Sequence, residues 1–370
     1  MDHTTPRLDF ALIGHQESWD KVTLLINTMR QMEGSDLLPP DTIKEIFPFI
    51  PPRKVFDIKV NRLNGEPVYG IYIETFISPD NLGIKHLQQN LSKVKEACLC
   101  AANEGAKIVS LGGFTSIVLE ASNSPLQEIK NTFFTTGNTL TAAFICEGIK
   151  KACIENKIDI HKSSLLIIGS TGDIGSACVN YFSGIANKLL LCARNVKQLQ
   201  QQAISLQENN IHCKASVDLN LLLPEADIIL FVASSPVAEW KTSLIKDDVI
   251  ICDAGYPKNM IQQLPPHLKK RIFCGGMGHV AAGFHFTPRY MESFYKYPCD
   301  DASHGCLLEC IVLSMEKKYV AYSIGRGNIT KENMNAILQM SKKNGIEVAP
   351  FFNAEELWHK QKSIATINYE

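Results

Sequence analysis

Short apolar runs alternate along this chain with longer segments in which apolar residues recur every three or four positions. The short runs are typical of strands, and the longer segments are typical of helices that cover a sheet. Strands are predicted over 9–15, 68–74, 107–111, 165–168, 188–193, 225–236, 249–257 and 271–276. Helices are predicted over 17–32, 81–105, 138–156, 306–316 and 331–343, and five prolines between 39 and 52 predict an irregular connection.

The strand at 165–168 ends in a turn with three glycines, Gly169, Gly172 and Gly175. This spacing, one residue off the commonest dinucleotide fingerprint, permits a tight turn, close approach of a pyrophosphate and close packing of the next helix. Asp173 is expected to cap that helix, whose N-terminal amides would face the phosphates. The other residues of the turn that we expect to contact the cofactor are Ser170, Thr171 and Ile174.

The type of dinucleotide is indicated by the end of the next strand. Arg194 and Asn195 stand close to where an NAD enzyme usually carries an acidic residue for the ribose, and an arginine there favours a ribose phosphate. We therefore expect NADP(H), although an ordinary solvated arginine remains the alternative for Arg194. Ala233 and Ser234, which end the following apolar run, are expected to lie near the nicotinamide ribose.

The predicted fold is a central doubly wound Rossmann domain, preceded by an α/β substrate domain and followed by helices. The predicted boundaries are 1–140 for the N-terminal α/β domain, 141–285 for the NADP(H)-binding domain and 286–370 for the C-terminal helical segment. No phosphate-binding turn occurs in the first of these segments, which is why we assign it to the substrate.

Composition narrows the class of protein further. A net charge of −1 over 370 residues argues against nucleic acid as a partner, and no apolar run approaches a membrane span or a leader peptide. We expect a cytoplasmic location. The twelve cysteines are scattered without metal-ligand spacing, so neither a metal site nor a disulfide framework is predicted.

One cysteine stands in a setting that favours reactivity. Cys306 follows small residues and His304 at a predicted helix start, where helix amides and an imidazolium both stabilise a thiolate. A thiolate in this position can attack a thioester. The residues alone leave the choice among twelve cysteines open.

Separate segments of the chain resemble the long-chain fatty acyl-(acyl carrier protein) reductases of the alkane-producing pathway, which form aldehydes. The similarity spans about residues 9–345 in one order. The matching segments are 12–15, 72–74, 111–117, 134–139, 172–177, 193–195, 223–227, 255–259, Ser323, 325–326 and 329–330.

The resemblance implies NADPH as cofactor and a cysteine nucleophile that carries the acyl group before its reduction. Counting back from the match at 325–326 places the family's nucleophile on Cys306, with Glu309 three residues later and Cys310 as the lesser candidate. The implied substrate is a fatty acyl thioester of acyl carrier protein. Residues 276–306 differ from the family pattern and about twenty residues after Pro350 are additional, so a shorter acyl chain or a coenzyme A thioester is also compatible.

Several alternatives stay open at this point. An NADP-dependent oxidoreductase of the shikimate dehydrogenase or glutamyl-tRNA reductase type, acting on a small polar substrate, and a non-catalytic NADP(H)-binding protein are the competing functions. His15, His279 and Lys258 each suit either a site residue or a packed structural one. An acidic carrier protein would need a basic patch, to which 269–271 or 317–318 can contribute, and the resemblance also implies an aldehyde-consuming enzyme as partner.

Overall fold

The computed structural model describes residues 8–82, 84–116, 126–233, 240–256, 258, 260–353 and 356–358. The chain divides into two compact units. The first contains the described residues up to Phe144 together with Val280–Lys296 and Ser303–Glu347. The second contains Ile145–His279, Tyr297–Ala302 and the described residues from Val348 onward.

The first unit is built on a six-stranded sheet of order β13-β2-β3-β1-β4-β5. Strands β3, β1, β4 and β5 run parallel, whereas β2 pairs antiparallel with both β3 and β13. The bounds are β1 Phe10–Gly14, β2 Arg53–Val60, β3 Val68–Glu74, β4 Ile108–Leu111, β5 Phe133–Thr135 and β13 Phe284–Thr287.

Helices cover both faces of this sheet. The helices outside the second unit are α1 Trp19–Met32, α2 Pro40–Ile46, α3 Leu87–Asn103, α8 Met291–Phe294, α9 Gly305–Met315, α10 Lys331–Lys343 and the start of α4 Asn138–Glu155. Alternate residues of each strand point to opposite faces, so Ile13, Ile71 and Val109 pack with α3 in one apolar core. The opposite face of β1 and β4 packs against α9.

The second unit contains a six-stranded parallel sheet of order β11-β10-β9-β6-β7-β8. This is the strand order of a Rossmann fold, which confirms the predicted doubly wound domain. Its strands are β6 Ser164–Ile168, β7 Lys188–Cys192, β8 Cys213–Ala215, β9 Ile228–Phe231, β10 Ile250–Asp253 and β11 Ile272–Cys274. Its helices are α5 Asp173–Phe182, α6 Val196–Glu208 and α7 Pro266–Lys269.

Three short strands, β12 Met277–Val280, β14 Ala302–His304 and β15 Ile346–Val348, form a third sheet. Short 3₁₀ turns occupy Phe47–Phe49, Pro79–Asn81, Ile84–His86, Ile160–Lys162, Leu219–Leu221, Leu223–Glu225, Thr242–Leu244 and Met260–Gln263. Within the described ranges, no helix combines the length and apolarity needed to cross a bilayer.

The structure differs from the sequence prediction in the extent of the units and in several elements, among them the short strands β5, β8 and β12–β15, which were not predicted. The compact units are interleaved, because α9 buries an apolar surface against β1 and β4, and Ser303–Glu347 therefore groups with the N-terminal residues and not as a separate segment. The irregular connection between 39 and 52 contains α2. This helix begins at Pro40, and proline is tolerated there because the N–H of the first helical residue makes no hydrogen bond within the helix. Strand β2 was missed, although its buried residues Phe56, Ile58 and Val60 alternate with exposed ones, as they do in a strand with one buried face.

The buried strands of the second unit predict a contrast between two leucines. Leu166 of β6 is fully buried, whereas Leu221 is 59% exposed. Leu166→Ala should lower the free energy of unfolding by about 2–5 kcal/mol because it leaves a cavity, and Leu221→Ala should change it by less than about 0.5 kcal/mol. Urea denaturation of both variants checks this, and equal losses would contradict the burial of β6.

Candidate active site

The glycine turn after β6 is held at very short backbone distances. Gly169 has φ +95°, and a Cβ built there would lie 2.9 Å from the nitrogen of Ala233. A Cβ on Gly175 would lie 2.1 Å from the carbonyl oxygen of Gly169, so only glycine fits where α5 meets the turn. A hydrogen bond within the turn closes it, since the Gly172 N–H donates to the Gly169 carbonyl at 3.0 Å.

The polar groups of this turn fit a bound dinucleotide. The Ser170 hydroxyl is fully buried and has no hydrogen-bond partner, although a buried hydroxyl normally finds one. The Ser170 carbonyl accepts from Gln202 Nε2 of α6 at 2.9 Å, and Thr171 and Ile174 are half-buried. The predicted cap was wrong in detail, because Gly172 occupies the N-cap position of α5 and Asp173 is the first residue of the helix.

The remaining predicted cofactor residues follow neighbouring strands. Arg194 and Asn195 are exposed just after β7, and the Asn195 side chain caps α6 by accepting from the Gln198 N–H at 3.1 Å. Ala233 lies two residues after β9 and against Gly169, as the topology requires. Ser234 lies outside the described residues.

Cys306 is the second residue of α9 and is half-buried. Its carbonyl oxygen accepts a hydrogen bond from the Ser110 hydroxyl of β4 at 2.7 Å. Its sulfur lies 3.9 Å from the position of a Cβ built on Gly112, directly after β4. The thiol is therefore set at the carboxyl end of the parallel strands, where α/β proteins place their ligands.

Two glycines allow the backbone around Cys306 to approach its neighbours. A Cβ on Gly137, which has φ +71°, would lie 2.2 Å from the Cys306 Cα. A Cβ on Gly305 would lie 2.7 Å from the Thr141 Cα in the first turn of α4. The amino ends of α4 and α9 thus meet backbone to backbone, and the position of the thiol depends on that contact.

Glu309 holds the same elements together from inside. Its fully buried carboxylate accepts from the Leu140 N–H at 2.9 Å and from the hydroxyls of Thr135 and Ser323. Burial raises the pKa of Glu309, and these hydrogen bonds oppose the rise. Both carboxylate oxygens are engaged in fixing α9 to β5 and α4.

The other residues near Cys306 in sequence are separated by burial. His304 is half-buried at the N-cap position of α9, and its side chain makes no capping hydrogen bond. Cys310 is fully buried, with its sulfur 3.6 Å from the Ile108 carbonyl oxygen, and burial raises the pKa of its thiol well above the usual range. The half-buried Cys306 is the more accessible of the two.

His15 follows β1 and packs as a neutral ring. Its Nε2 accepts from the Phe114 N–H at 3.0 Å, and Nδ1 lies 3.4 Å from the Gln16 carbonyl. Burial lowers the pKa of His15 to about 4, which keeps the imidazole uncharged at neutral pH. It supports the turn that carries Gly112.

Lys258 and His279 lie in the second unit. Lys258 donates to the carbonyls of Asp253 and Gly275 at the ends of β10 and β11, so it holds that turn. His279 is half-buried within β12. Among the described residues, no cluster of three histidine, cysteine or acidic side chains could hold a metal ion.

Three contributors to the site were missed from the sequence: Ser110, Gly112 and Glu309's partner Leu140. Ser110 and Gly112 stand at the end of a predicted strand, and small residues at a strand's carboxyl end are a usable signal. The backbone amide of Leu140 left no signal at all, because the bond depends on tertiary structure.

The chain is similar in sequence to a curated protein of known activity. The chain is 31% identical over 348 residues to the long-chain acyl-[acyl-carrier-protein] reductase of Synechococcus elongatus, covering 91% of this chain and 98% of that protein. No family model matches the chain. Among solved structures, quinate dehydrogenase of Corynebacterium glutamicum in complex with NAD aligns over 84% of this chain and 94% of its own, at 12% identity and a TM-score of 0.37. Shikimate 5-dehydrogenase of Listeria monocytogenes aligns over 85% and 93%, at 11% identity and a TM-score of 0.34.

The parallel sheet, the glycine turn and the relative together define an oxidoreductase with a Rossmann domain built for an NAD(P)-type dinucleotide. The chain belongs to the long-chain acyl-[acyl-carrier-protein] reductase family. The resemblance seen in the sequence is thereby confirmed at the level of the family.

The contact at Gly137 predicts a loss of activity that a matched control separates from simple backbone strain. Gly137→Ala should lower turnover at least 10-fold because its Cβ collides with Cys306, whereas Gly105, with φ +91°, has no atom within 4 Å. Gly105→Ala carries a similar left-handed strain of about 1 kcal/mol and should leave turnover within about twofold. Steady-state assays with thermal melts check this, and equal losses would contradict the collision.

Proposed function

We propose that the chain catalyses NADPH-dependent reduction of a long-chain fatty acyl thioester to the aldehyde, through an acyl-enzyme on Cys306. The acyl group is delivered by acyl carrier protein, with coenzyme A as the other possible carrier. The observation that carries this proposal is the half-buried thiol at the start of α9, above the carboxyl ends of β1 and β4, in a chain of this family. A half-buried cysteine at a helix start is a suitable nucleophile, unlike the fully buried Cys310.

Cys306 attacks the thioester carbonyl carbon as a thiolate, the carrier's sulfur leaves, and the acyl group remains on the enzyme. The positive end of the α9 helix dipole favours the thiolate. His304, immediately before that helix, is proposed to orient the substrate or stabilise the negative charge. Glu309 is a positioning residue, because its two oxygens are occupied by α4, β5 and Ser323.

The cofactor is proposed to be NADPH, bound by the turn from Gly169 to Gly175 with Ser170 donating through its unpartnered hydroxyl. Arg194 and Asn195 would hold the ribose phosphate, and Ala233 and Ser234 would lie near the nicotinamide ribose. The chemistry that NADPH supplies when bound is hydride donation, which reduces an acyl group to an aldehyde.

The first unit is proposed to bind the acyl substrate and the second unit the cofactor. The cytoplasm is the proposed compartment, because all twelve cysteines, each within the described residues, are free thiols. Lys269, Lys270 and Lys317–Lys318 are the proposed contacts for an acidic carrier protein, whereas the Arg271 guanidinium donates to the Val249 carbonyl and has a structural role. A soluble aldehyde-consuming enzyme would take the product.

The acyl-enzyme predicts a mass increment that depends on one cysteine. Incubation with palmitoyl-acyl carrier protein and no NADPH should add one palmitoyl group to the wild-type chain and none to Cys306→Ala, as measured by intact mass spectrometry. Addition of NADPH should discharge the group as hexadecanal. Cys100, which is also half-buried in the first unit, supplies the matched control: Cys100→Ala should retain the adduct.

An adduct that persists in Cys306→Ala, or aldehyde formation at the wild-type rate by that variant, would refute the assignment of the nucleophile.

The assignment of Arg194 predicts a change of cofactor preference. Arg194→Ala should weaken NADPH binding about 10-fold or more through the loss of a charge-assisted hydrogen bond, with little effect on NADH. Titration of dihydronicotinamide fluorescence with both cofactors measures this without substrate. Parallel weakening of NADPH and NADH, or no change in either, would show that Arg194 does not contact the ribose phosphate.

A further inference from the structure

Two glycines lie beside Cys306, at the ends of β1 and β4. Strands β4, β1 and β3 lie side by side, and Gly14 at the end of β1 is in register with Glu74 at the end of β3. Gly112 follows β4, and its N–H donates to the Ile13 carbonyl at 3.0 Å. Gly14 and Gly112 therefore lie on adjacent strands, about 4.8 Å apart, and neither has a side chain.

The Cys306 thiol and the Tyr72 hydroxyl lie next to these two glycines. Cβ atoms built on the glycines would lie 3.9 Å from the Cys306 sulfur at Gly112 and 2.5 Å from the Tyr72 hydroxyl at Gly14. The Leu12 side chain is 3.5 Å from the same Gly112 position, and Leu12 shares its face of β1 with Gly14. The sulfur and the hydroxyl therefore lie on one face of the sheet, over adjacent strands.

Behind the hydroxyl is a buried carboxyl group. Glu74 is fully buried and accepts from the Tyr72 hydroxyl at 3.0 Å, from Gln16 Nε2 at 2.7 Å and from the Phe76 N–H at 3.2 Å. Burial raises the pKa of Glu74 to about 7, and it also raises the pKa of Tyr72 well above its usual range. Phe76 itself holds φ +53°, a strained conformation for a residue with a side chain.

The neighbours of Glu74 do not neutralise it. Lys93 directs its amine to the carbonyls of Phe76 and Ile50, and Arg53 stacks over the Phe76 ring. Among the described residues Glu74 forms no salt bridge, although the Lys93 amine is near enough to interact with its charge. The titratable and charged groups around Glu74 come from every neighbouring element. They are Tyr72 on β3, Arg53 on β2, His15 and Glu17 between β1 and α1, Lys93 on α3, and Tyr295 after α8.

We propose that Tyr72 and Glu74 form a proton relay for the thiol exchange at Cys306, with Tyr72 facing the reacting sulfur and Glu74 acting through it. The inference rests on the proposed function, and it assigns the acid-base chemistry to two residues of β3. Because residues 14 and 112 are glycines, no side chain of these two strand ends stands between the thiol and the hydroxyl.

The protons balance over the exchange. Tyr72 accepts the Cys306 thiol proton as it passes its own hydroxyl proton to the Glu74 carboxylate. The Cys306 sulfur forms a bond to the acyl carbon, and the bond from that carbon to the carrier's sulfur breaks, with its electron pair staying on the carrier. The proton then returns from Glu74 through Tyr72 to the carrier thiolate. Nothing is oxidised or reduced in this half-reaction.

The test follows acylation of Cys306 in the full chain by palmitoyl-acyl carrier protein in rapid-quench mass spectrometry, between pH 5.5 and 8.5 and without NADPH. Wild type should show an inflection near the pKa of Glu74, about 7. Glu74→Gln preserves the shape and the hydrogen bond from Tyr72 but cannot take a proton. It should acylate about 100-fold more slowly at pH 7 and lose that inflection.

Tyr72→Phe, which leaves the carboxyl group in place, should have a similar effect on the rate. Glu17→Gln is the control for the loss of a nearby charge, because Glu17 pairs with Lys21 on the surface, and it should acylate at the wild-type rate. All four chains should reach the same final adduct and bind NADPH equally. Acylation of Glu74→Gln with the wild-type rate and pH profile would overturn the relay, as would a loss that accompanies unfolding and leaves the inflection unchanged.

Alkylation of Cys306 by iodoacetamide separates this inference from the proposed function. The rate at the Cys306 peptide should depend on Glu74 even if palmitoyl-acyl carrier protein gives no adduct with wild type. If the pH profiles of alkylation in wild type and Glu74→Gln coincide, the relay is wrong whatever the substrate. Absence of the palmitoyl adduct with divergent alkylation profiles refutes the substrate alone.

Discussion

The first unit depends on contact between two backbones at the start of α9. Gly137 and Gly305 remove the Cβ atoms that would separate the amino ends of α4 and α9. This close contact buries polar groups, which need hydrogen-bond partners in place of water. The buried Glu309 carboxylate supplies such a partner, because it accepts hydrogen bonds from one peptide N–H and two hydroxyls. The thiol inherits its position from this contact, because Cys306 begins the helix that the carboxylate fixes.

The two sheets use the same principle at different strand ends. In both, small residues follow the carboxyl end of a parallel strand, where α/β proteins place their ligands, and let other groups approach the backbone closely. In the second unit these residues are Gly169 and Gly175, which lie against the backbone of Ala233 and of the turn itself. In the first unit they are Gly14 and Gly112, beside the Tyr72 hydroxyl and the Cys306 thiol. The polar groups of the first unit therefore lie at the strand ends, whereas both faces of its sheet are covered by apolar packing, on one side by α3 and on the other by α9.

Local signals in the sequence sufficed for much of the fold. Strand β3 and helix α10 have the predicted bounds, and the Rossmann order follows from continuous apolar runs such as 165–168. Strand β2 was missed because half of its residues are charged, and the cap of α5 fell on a glycine one residue earlier than predicted. The proposed nucleophile, Cys306, was singled out from its helix start and the family resemblance. The partners of Glu309 and Glu74 were not, because Leu140 and Gln16 are far away from them in the chain and only tertiary packing brings them close.

The interleaving of the units sets an order on synthesis. All six strands of the second sheet lie between Ser164 and Cys274, so they are synthesised before α9. The first sheet lacks α9 until Gly305–Met315 is made, and until then an apolar face of β1 and β4 stays open to solvent or to chaperones. The nascent chain therefore holds every strand of the Rossmann sheet before it holds a positioned thiol, although the second unit still awaits its residues from Val348 onward.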